Sequence, residues 1–306
     1  MSTYAEVEVD GRKLKLSNLE KILYPQSGFT KAQVIDYYTR VAPVLLPHLR
    51  DRPLTLKRYP NGVEGGFFFE KECPSHRPAW VPTTAVWSEG NERDVHYCVV
   101  NELATLVWAA NLADLELHTS LSKKRNIERP TTMVFDLDPG APANIVQCAQ
   151  VALWLRQLLA DIGLEAVAKT SGSKGMQLYV PLNTAVTYER TKPFAHKIAQ
   201  ILEREHPDRV VSNMKKVLRK GKIFIDWSQN DAHKTTVCVY SLRAKHIPTV
   251  STPLLWDEVE RLWRSKKAAS VEFDAADVLQ RVAAHGDLFA PVLEKKQKLP
   301  ALSVLD

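Results

Sequence analysis

Residues 131–140 read TTMVFDLDPG, a short apolar run, Met133-Val134-Phe135, that closes on two aspartates one residue apart. A run of this length ahead of Pro-Gly reads as a buried strand. Side chains alternate along a strand, so Asp136 and Asp138 share a face. Two carboxylates that close repel each other and are costly to take out of water. A chain that places them where a strand leaves its core needs strong solvation there, or a cation. A second run ends the same way: Ile223-Phe224-Ile225 is followed by Asp226. Three aspartates at strand ends form the oxygen donor set that hard Mg²⁺ or Mn²⁺ ions prefer. Two such ions can serve the attacking and the leaving oxygen of one displacement. The plainer reading of Asp136 alone is the start of a turn before Pro139-Gly140. The DxD pair together with a distant Asp at a matching strand end favours the ion site.

The rest of the chain reads as mixed strands and helices. Thr30 is placed as an N-cap, ahead of a helix with Val34, Ile35, Tyr38, Val41 and Leu45 on one side. Strands are expected at 54–59, 95–100, 115–118 and in TTVCVYSL (235–242), and helices over 102–113, 143–163 and 188–205. Residues 165–170 and 176–182 read as a hairpin around a glycine turn. The regular alternation of a doubly wound sheet is missing. The expected class is therefore α/β (α+β), with mixed or antiparallel sheets flanked by helices. No Pro/Gly/Ser linker divides the 306 residues. One compact two-lobed domain is expected over 1–295, followed by a loose C-terminal tail at 296–306.

Composition narrows the class. At 45% hydrophobic and 25% charged, the chain is ordinary globular protein. The net charge of +6 leans towards a polyanionic partner. The N-terminus is too polar for a signal peptide, and no apolar stretch is long enough to span a bilayer. Cys73, Cys98, Cys148 and Cys238 form no CxxC pair and read as reduced thiols of a cytoplasmic protein. Cys73 and His76 could supply half of a zinc site, for which the sequence offers no second half.

Between the acidic strand ends lies KTSGSKGMQLY, residues 169–179. Ser171, Gly172, Ser173, Lys174 and Gly175 offer amides, hydroxyls and an ammonium in one turn, which suits a phosphate. It is not a Walker A loop, and a hairpin turn that merely needs glycine is the plainer alternative. Phe67, Phe68 and Phe69 follow two glycines. Strand alternation can bury at most every other one, so an aromatic is left to stack on a base. Basic clusters at 123–129 and 215–222 are more often solvated surface than binding sites. His118 closes a strand and could face phosphate, although a lone histidine is more often structural.

The stretches NLEKILYP, FTKAQVIDYY, RPLTLKRYPNGVEGGFFFEK, MVFDLDPG, KTSGSKGMQLYVPL, KIFIDWSQN and KTTVCVYSLRAK occur in order along nearly the whole chain. In this it resembles the polymerase domain of bacterial ligase D, within the archaeo-eukaryotic primase superfamily. The resemblance implies the primase-polymerase fold, with the active site between two lobes. It implies metal binding by Asp136, Asp138 and Asp226, and a triphosphate loop at Ser171, Ser173, Lys174 and Gly175. His118 and Arg243 match nucleotide-site residues, with Lys57, Arg219 and Gln229 nearby. Phe68 and Phe69 match an aromatic pair under the templating base. Lys21 and Lys31, with Asn18 beside them, match a pocket for the 5′-phosphate of the downstream strand. Gln177 stands where many members carry His.

The implied activity is templated addition of nucleotides, NTPs ahead of dNTPs, to DNA 3′ ends during non-homologous end joining, with two Mn²⁺ or Mg²⁺ ions. The implied partners are DNA with 5′-phosphorylated gaps or double-strand-break ends, the end-binding protein Ku, and a separate ATP-dependent DNA ligase. The sequence shows no KxDG motif or nuclease domain, so the chain reads either as a stand-alone family member or as an excised domain. The implied location is cytoplasmic, on the nucleoid, with no membrane role. The alternatives are a primase-type initiator, a DxD phosphatase and a non-catalytic DNA-end-bridging factor. Against the phosphatase, Gly140 occupies the place where that motif usually has Thr or Val.

Overall fold

The computed structural model describes residues 4–306. The chain forms two compact units. One comprises the chain up to Arg125 with Thr235–Ser251 and Phe273–Asp287; the other comprises Asn126–Lys234, Thr252–Glu272 and Leu288–Asp306. The chain passes from one unit to the other repeatedly, which is why no linker composition marks a boundary. The sheets are antiparallel or mixed and flanked by helices, as the sequence led us to expect.

In the first unit, one sheet runs in the order Thr235–Val237, Asp114–Ser120, Leu54–Arg58, Arg93–Cys98, Thr83–Ser88. Phe68–Glu70 adds to it by pairing with Leu54–Arg58. The helix Lys31–Leu49 begins at a reciprocal cap: the Gln33 N–H donates to Thr30 Oγ1 at 3.3 Å and the Thr30 N–H donates to Gln33 Oε1 at 2.8 Å. Its predicted stripe, Val34, Ile35, Tyr38, Val41 and Leu45, is buried. Each such side chain contributes about 1.5–3 kcal/mol of burial, an upper figure because the unfolded chain is already partly compact. The Tyr37 and Tyr38 hydroxyls donate to the carbonyls of Tyr240 and Leu115, both at 2.8 Å, so neither is stranded in the core.

In the second unit the sheet order is Val210–Val211, Ile223–Asp226, Thr132–Pro139, Met176–Pro181, Val167–Thr170, Pro253–Leu254. Only the first pair is parallel. Met133, Val134, Phe135 and Leu137 are fully buried, which fixes the strand that carries the aspartates. The helix Ile145–Asp161, capped by Asn144 and Gln147, packs on this sheet, as does Tyr188–Glu205.

Four expectations are corrected. TTVCVYSL is a strand only over Thr235–Val237, because the backbone turns at Tyr240 with φ +63°. Cys73 and Cys98 are not reduced thiols: they form a disulfide, with Cα atoms 5.0 Å apart. The Cys73 N–H donates to the His96 carbonyl at 2.6 Å, which lays Cys73 along the strand Arg93–Cys98. This removes the thiol argument for a cytoplasmic location and spends the cysteine of the half zinc site. Cys148 and Cys238 are buried and take no part in a disulfide. The tail at 296–306 is held rather than loose. The Gln297 side chain donates to the carbonyls of Glu165 and Pro181 and accepts from the Glu165 N–H, while Leu299 and Leu305 are buried. Among the described residues, no helix is long and apolar enough to cross a membrane.

Candidate active site

In the second unit, strand register lines up four polar residues across the sheet. Asp226 lies opposite Asp136, Asp136 opposite Gln177, and Gln177 opposite Lys169. Directly opposed residues in neighbouring strands share a face, so this is one row. Asp138 sits two residues beyond Asp136 on the same face. Gln177 and Lys169 are buried. Burial, followed by the charges of Asp138 and Asp226, pushes the Asp136 carboxyl up to about 7, against the hydrogen bond from Gln177 and the charge of Lys169. The row is thus short of positive charge.

Among the described residues, no three His, Cys, Asp or Glu side chains converge as they stand into a cage for a metal. The cause is visible at Asp226. Its Oδ1 accepts from the Ser228 N–H at 3.0 Å and from the Ser228 hydroxyl at 2.5 Å, and its Oδ2 accepts from Gln229 Nε2 at 2.8 Å. Gln229, expected beside the nucleotide, is thus bonded to an aspartate. The rest of WSQN anchors this strand end. Trp227 stacks on His196 at 3.8 Å, and Asn230 bonds both the N–H and the carbonyl of Val134, at 2.8 and 2.7 Å. The donor set itself suits a divalent ion: three carboxylates, all oxygen donors, one of them with its carboxyl pushed up by burial and then by the charges of the other two.

The turn after Lys169 is largely bonded to itself. Ser171 Oγ accepts from the N–H groups of Ser173 (3.3 Å) and Gly175 (3.1 Å), and the Ser171 N–H donates to the Gly175 carbonyl (2.9 Å). These amides are therefore not the open phosphate cradle expected from the sequence. Ser173 and Lys174 are exposed at its tip. The turn lies tight against the aspartate strand, since a Cβ on Gly175 would fall 2.2 Å from the Leu137 carbonyl oxygen. Gly140 is tighter still: a Cβ there would be 1.8 Å from the Arg219 carbonyl oxygen. That is why glycine stands where a DxD phosphatase has a side chain. Arg219 packs its guanidinium 3.7 Å from the Phe224 ring centre and reaches to 4.0 Å from Asp138 Oδ2.

In the first unit, Lys57, His118 and Arg243 meet at a residue the sequence did not single out. Glu116 Oε2 lies 3.1 Å from Lys57 Nζ, 3.1 Å from His118 Nε2 and 3.3 Å from Arg243 Nε. Burial alone would raise the Glu116 carboxyl, but the His118 hydrogen bond and the Arg243 and Lys57 charges hold it well below the usual range. His118 is pulled below its ordinary value, chiefly by burial and against the pull of Glu116. All three phenylalanines are exposed, because Phe68–Glu70 is a short strand paired only to Leu54–Arg58. Phe69 meets His118 edge-on at 5.8 Å, Phe67 and Phe69 flank Lys57 Nζ, and Phe68 lies on Arg58.

Lys21, Lys31 and Asn18 also gather in this unit. The Lys31 N–H donates to the Lys21 carbonyl at 2.8 Å and the Lys21 N–H to the Asn18 carbonyl at 3.0 Å. Asn18 turns the chain with φ +52°. The Lys31 ammonium donates to the Ser17 carbonyl at 2.6 Å, and Lys21 Nζ to Asn61 Oδ1 at 3.3 Å. Burial, then the charges of Lys21 and Arg58, lower the Lys31 amine to about 8. A cation disfavoured by its neighbours is one that an anion would relieve.

A family model described as the primase-polymerase domain of LigD matches residues 30–289. The multifunctional non-homologous end joining protein LigD of Mycolicibacterium smegmatis is 40% identical over 282 residues, covering 92% of this chain and 36% of that protein. The bifunctional LigD of Bacillus subtilis is 31% identical over 308 residues, covering 99% and 48%. The chain thus spans between a third and a half of the length of these relatives. The solved polymerase domain of Mycobacterium tuberculosis ligase D, in complex with DNA, superposes with a TM-score of 0.86 at 39% identity. That match covers 93% of this chain and 99% of the solved one.

Proposed function

The chain belongs to the LigD primase-polymerase domain family, and on that premise we propose that it is a nucleotidyltransferase that adds nucleotides, directed by a template, to DNA 3′ ends in non-homologous end joining. The observation that carries this reading is the row on one sheet face in which Asp136 opposes Asp226, with Asp138 beside them. Family membership implies metal-dependent catalysis. Asp136, Asp138 and Asp226 would hold the ions, two Mg²⁺ or Mn²⁺, which supply Lewis-acid charge at the attacking and leaving oxygens. Asp226 would then exchange part of its bonding to Ser228 and Gln229 for that role.

The residues of the chain bind and orient. Lys174 and Ser173, at the exposed tip of their turn, contact the triphosphate, with Ser171 and Gly175 shaping the turn. Lys57, His118 and Arg243 contact the nucleotide, and Arg219 lies beside Asp138. The primer 3′-hydroxyl gives up its proton to solvent and its oxygen bonds to the α-phosphorus as the bond to the bridging oxygen breaks, and pyrophosphate leaves with that electron pair. Phe68 and Phe69 support the templating base by stacking. Ku and an ATP-dependent DNA ligase are the proposed partners, on the nucleoid.

The experiment is nucleotide addition on a 5′-phosphorylated gap and on bare single-stranded template, with NTPs and dNTPs in parallel under Mn²⁺. Addition at the gap is expected, with catalytic efficiency for NTPs above that for dNTPs. Efficient synthesis on bare template without a primer would instead make the enzyme a primase-type initiator.

We further propose that Lys21 and Lys31, with Asn18, receive the 5′-phosphate on the far side of the gap. Charge-assisted bonds to such a group are worth about 1.5–3 kcal/mol each. Lys21→Ala/Lys31→Ala is expected to abolish an at least tenfold (~1.4 kcal/mol) preference for phosphorylated over hydroxyl-ended gaps, with simple primer extension nearly unchanged. The preference also carries a pH signature. Lys31 is fully charged below its folded value of about 8 and loses its proton as the pH rises through it. The wild-type preference should therefore weaken above pH 8. Stability moves the opposite way: with the amine depressed in the fold, stability rises with pH between about 8 and its ordinary 10.5, and this group adds no pH dependence below that window. Equal binding of both gap types by the wild type would remove this pocket from the account.

A further inference from the structure

We propose that Glu116 is a positioning residue for the nucleotide's phosphates, a buried carboxylate that fixes Lys57, His118 and Arg243 as one rigid cationic array. The proposal rests on the reading of those three as nucleotide contacts. All four residues lie in the first unit. Strand register places Lys57 directly opposite Glu116, and His118 follows two residues along on the same face. Arg243 arrives from a distant part of the chain to the same oxygen, Oε2. The other oxygen, Oε1, accepts from the Tyr59 hydroxyl at 3.3 Å and from the Ala244 N–H at 3.1 Å. Four hydrogen-bond donors and the Arg243 ion pair thus converge on a carboxylate that is 2% exposed.

Two features separate this cluster from a structural ion pair. The first is its charge balance. One carboxylate faces two permanent cations and an imidazole, so positive charge is left over for an anion. The second is that long, flexible cationic side chains are held before any ligand arrives. Binding then need not order them. The His118 bond also orients the ring, since Nε2–H must point at the carboxylate.

The test turns on a sign. Charge alone predicts that removing a carboxylate from beside two cations and an imidazole tightens polyphosphate binding. Positioning predicts the reverse. Glu116→Gln keeps the shape and removes the charge. On a gapped substrate it is expected to raise the KM for NTP and the inhibition constant of inorganic tripolyphosphate in parallel, by about tenfold. The inhibition constant of the unphosphorylated ribonucleoside and the affinity for DNA should stay within about twofold, inside the spread of a near-neutral change. Glu116→Asp, which keeps the charge but withdraws it by one methylene, should move the same two constants in the same direction. Unchanged or tighter tripolyphosphate binding in Glu116→Gln overturns the proposal. So does failure of both variants to fold, since the carboxylate would then serve the sheet alone. A wild-type protein that neither adds nucleotides nor binds tripolyphosphate would fail at the underlying functional reading, before Glu116 is reached.

Discussion

Asp136→Ala and Asp138→Ala are each expected to reduce nucleotide addition by at least about a thousandfold, equivalent to about 4 kcal/mol of transition-state stabilisation, with DNA affinity staying within about twofold. The direction follows from what each carboxylate does. In the proposed mechanism it anchors positive charge at the reacting phosphate, so its loss would fall on the chemical step. It contributes little to the field that attracts DNA, because removing an acid makes a basic protein slightly more basic. Asp136 is the stronger test of the two, since it is opposed by Asp226 and followed two residues later by Asp138 on the same face. Single-turnover extension on a gapped duplex, read beside DNA binding by anisotropy, separates the two effects. Extension above a tenth of the wild-type rate in both variants would show that these aspartates do not carry the reaction.

Gly140→Ala is the second large effect. Its Cβ would stand 1.8 Å from the Arg219 carbonyl oxygen, a backbone atom that cannot swing aside as a side chain can. Gly140 is also tied to the same segment by its N–H to the Lys222 carbonyl and by the Gly221 N–H to its own carbonyl, at 2.8 and 3.0 Å. Separating the two segments there is expected to cost about 2–4 kcal/mol, the range of an overpacked core site with broken hydrogen bonds. Activity should fall with it, because Asp138 and Arg219 flank the contact. Gly175→Ala, 2.2 Å from the Leu137 carbonyl oxygen, should behave alike. Gly66, where a Cβ meets nothing within 4 Å, is the control, expected to change stability by less than about 0.5 kcal/mol. Urea unfolding of the three variants checks this. Equal midpoints for Gly140→Ala and Gly66→Ala would mean that the segments part without cost.

The aspartate site was legible because its signal is local. An apolar strand core is read from adjacent residues, and strand alternation decides which carboxylates share a face. The capped helices were legible for the same reason: Thr30 with Gln33 sits next to the stripe it starts. Glu116 was not legible. Within LELH it reads as an ordinary outward residue of an alternating strand. Its meaning depends on register with Lys57 and on the arrival of Arg243 from more than a hundred residues away. Lys169 was hidden likewise, since a lysine at the edge of a glycine turn reads as solvent-facing, whereas the row of polar residues buries it. The Cys73–Cys98 bridge joins two residues with no spacing motif between them. Gly140 was read as a turn residue, but a crossing segment, not the turn, is what forbids a side chain there. The glycine turn after Lys169 forms as expected, but its amides at Ser171, Ser173 and Gly175 are bonded within the turn, because a sequence shows which amides exist and not which are already taken.

The most direct test of the central claim is single-nucleotide addition to a gapped duplex opposite each of the four template bases, with each of the four NTPs supplied alone. The account predicts that the complementary ribonucleotide is added opposite every template base, with release of pyrophosphate, and that Asp136→Ala adds none. No addition by the wild type with any NTP, with DNA ends still held together or a phosphomonoester hydrolysed instead, would contradict it.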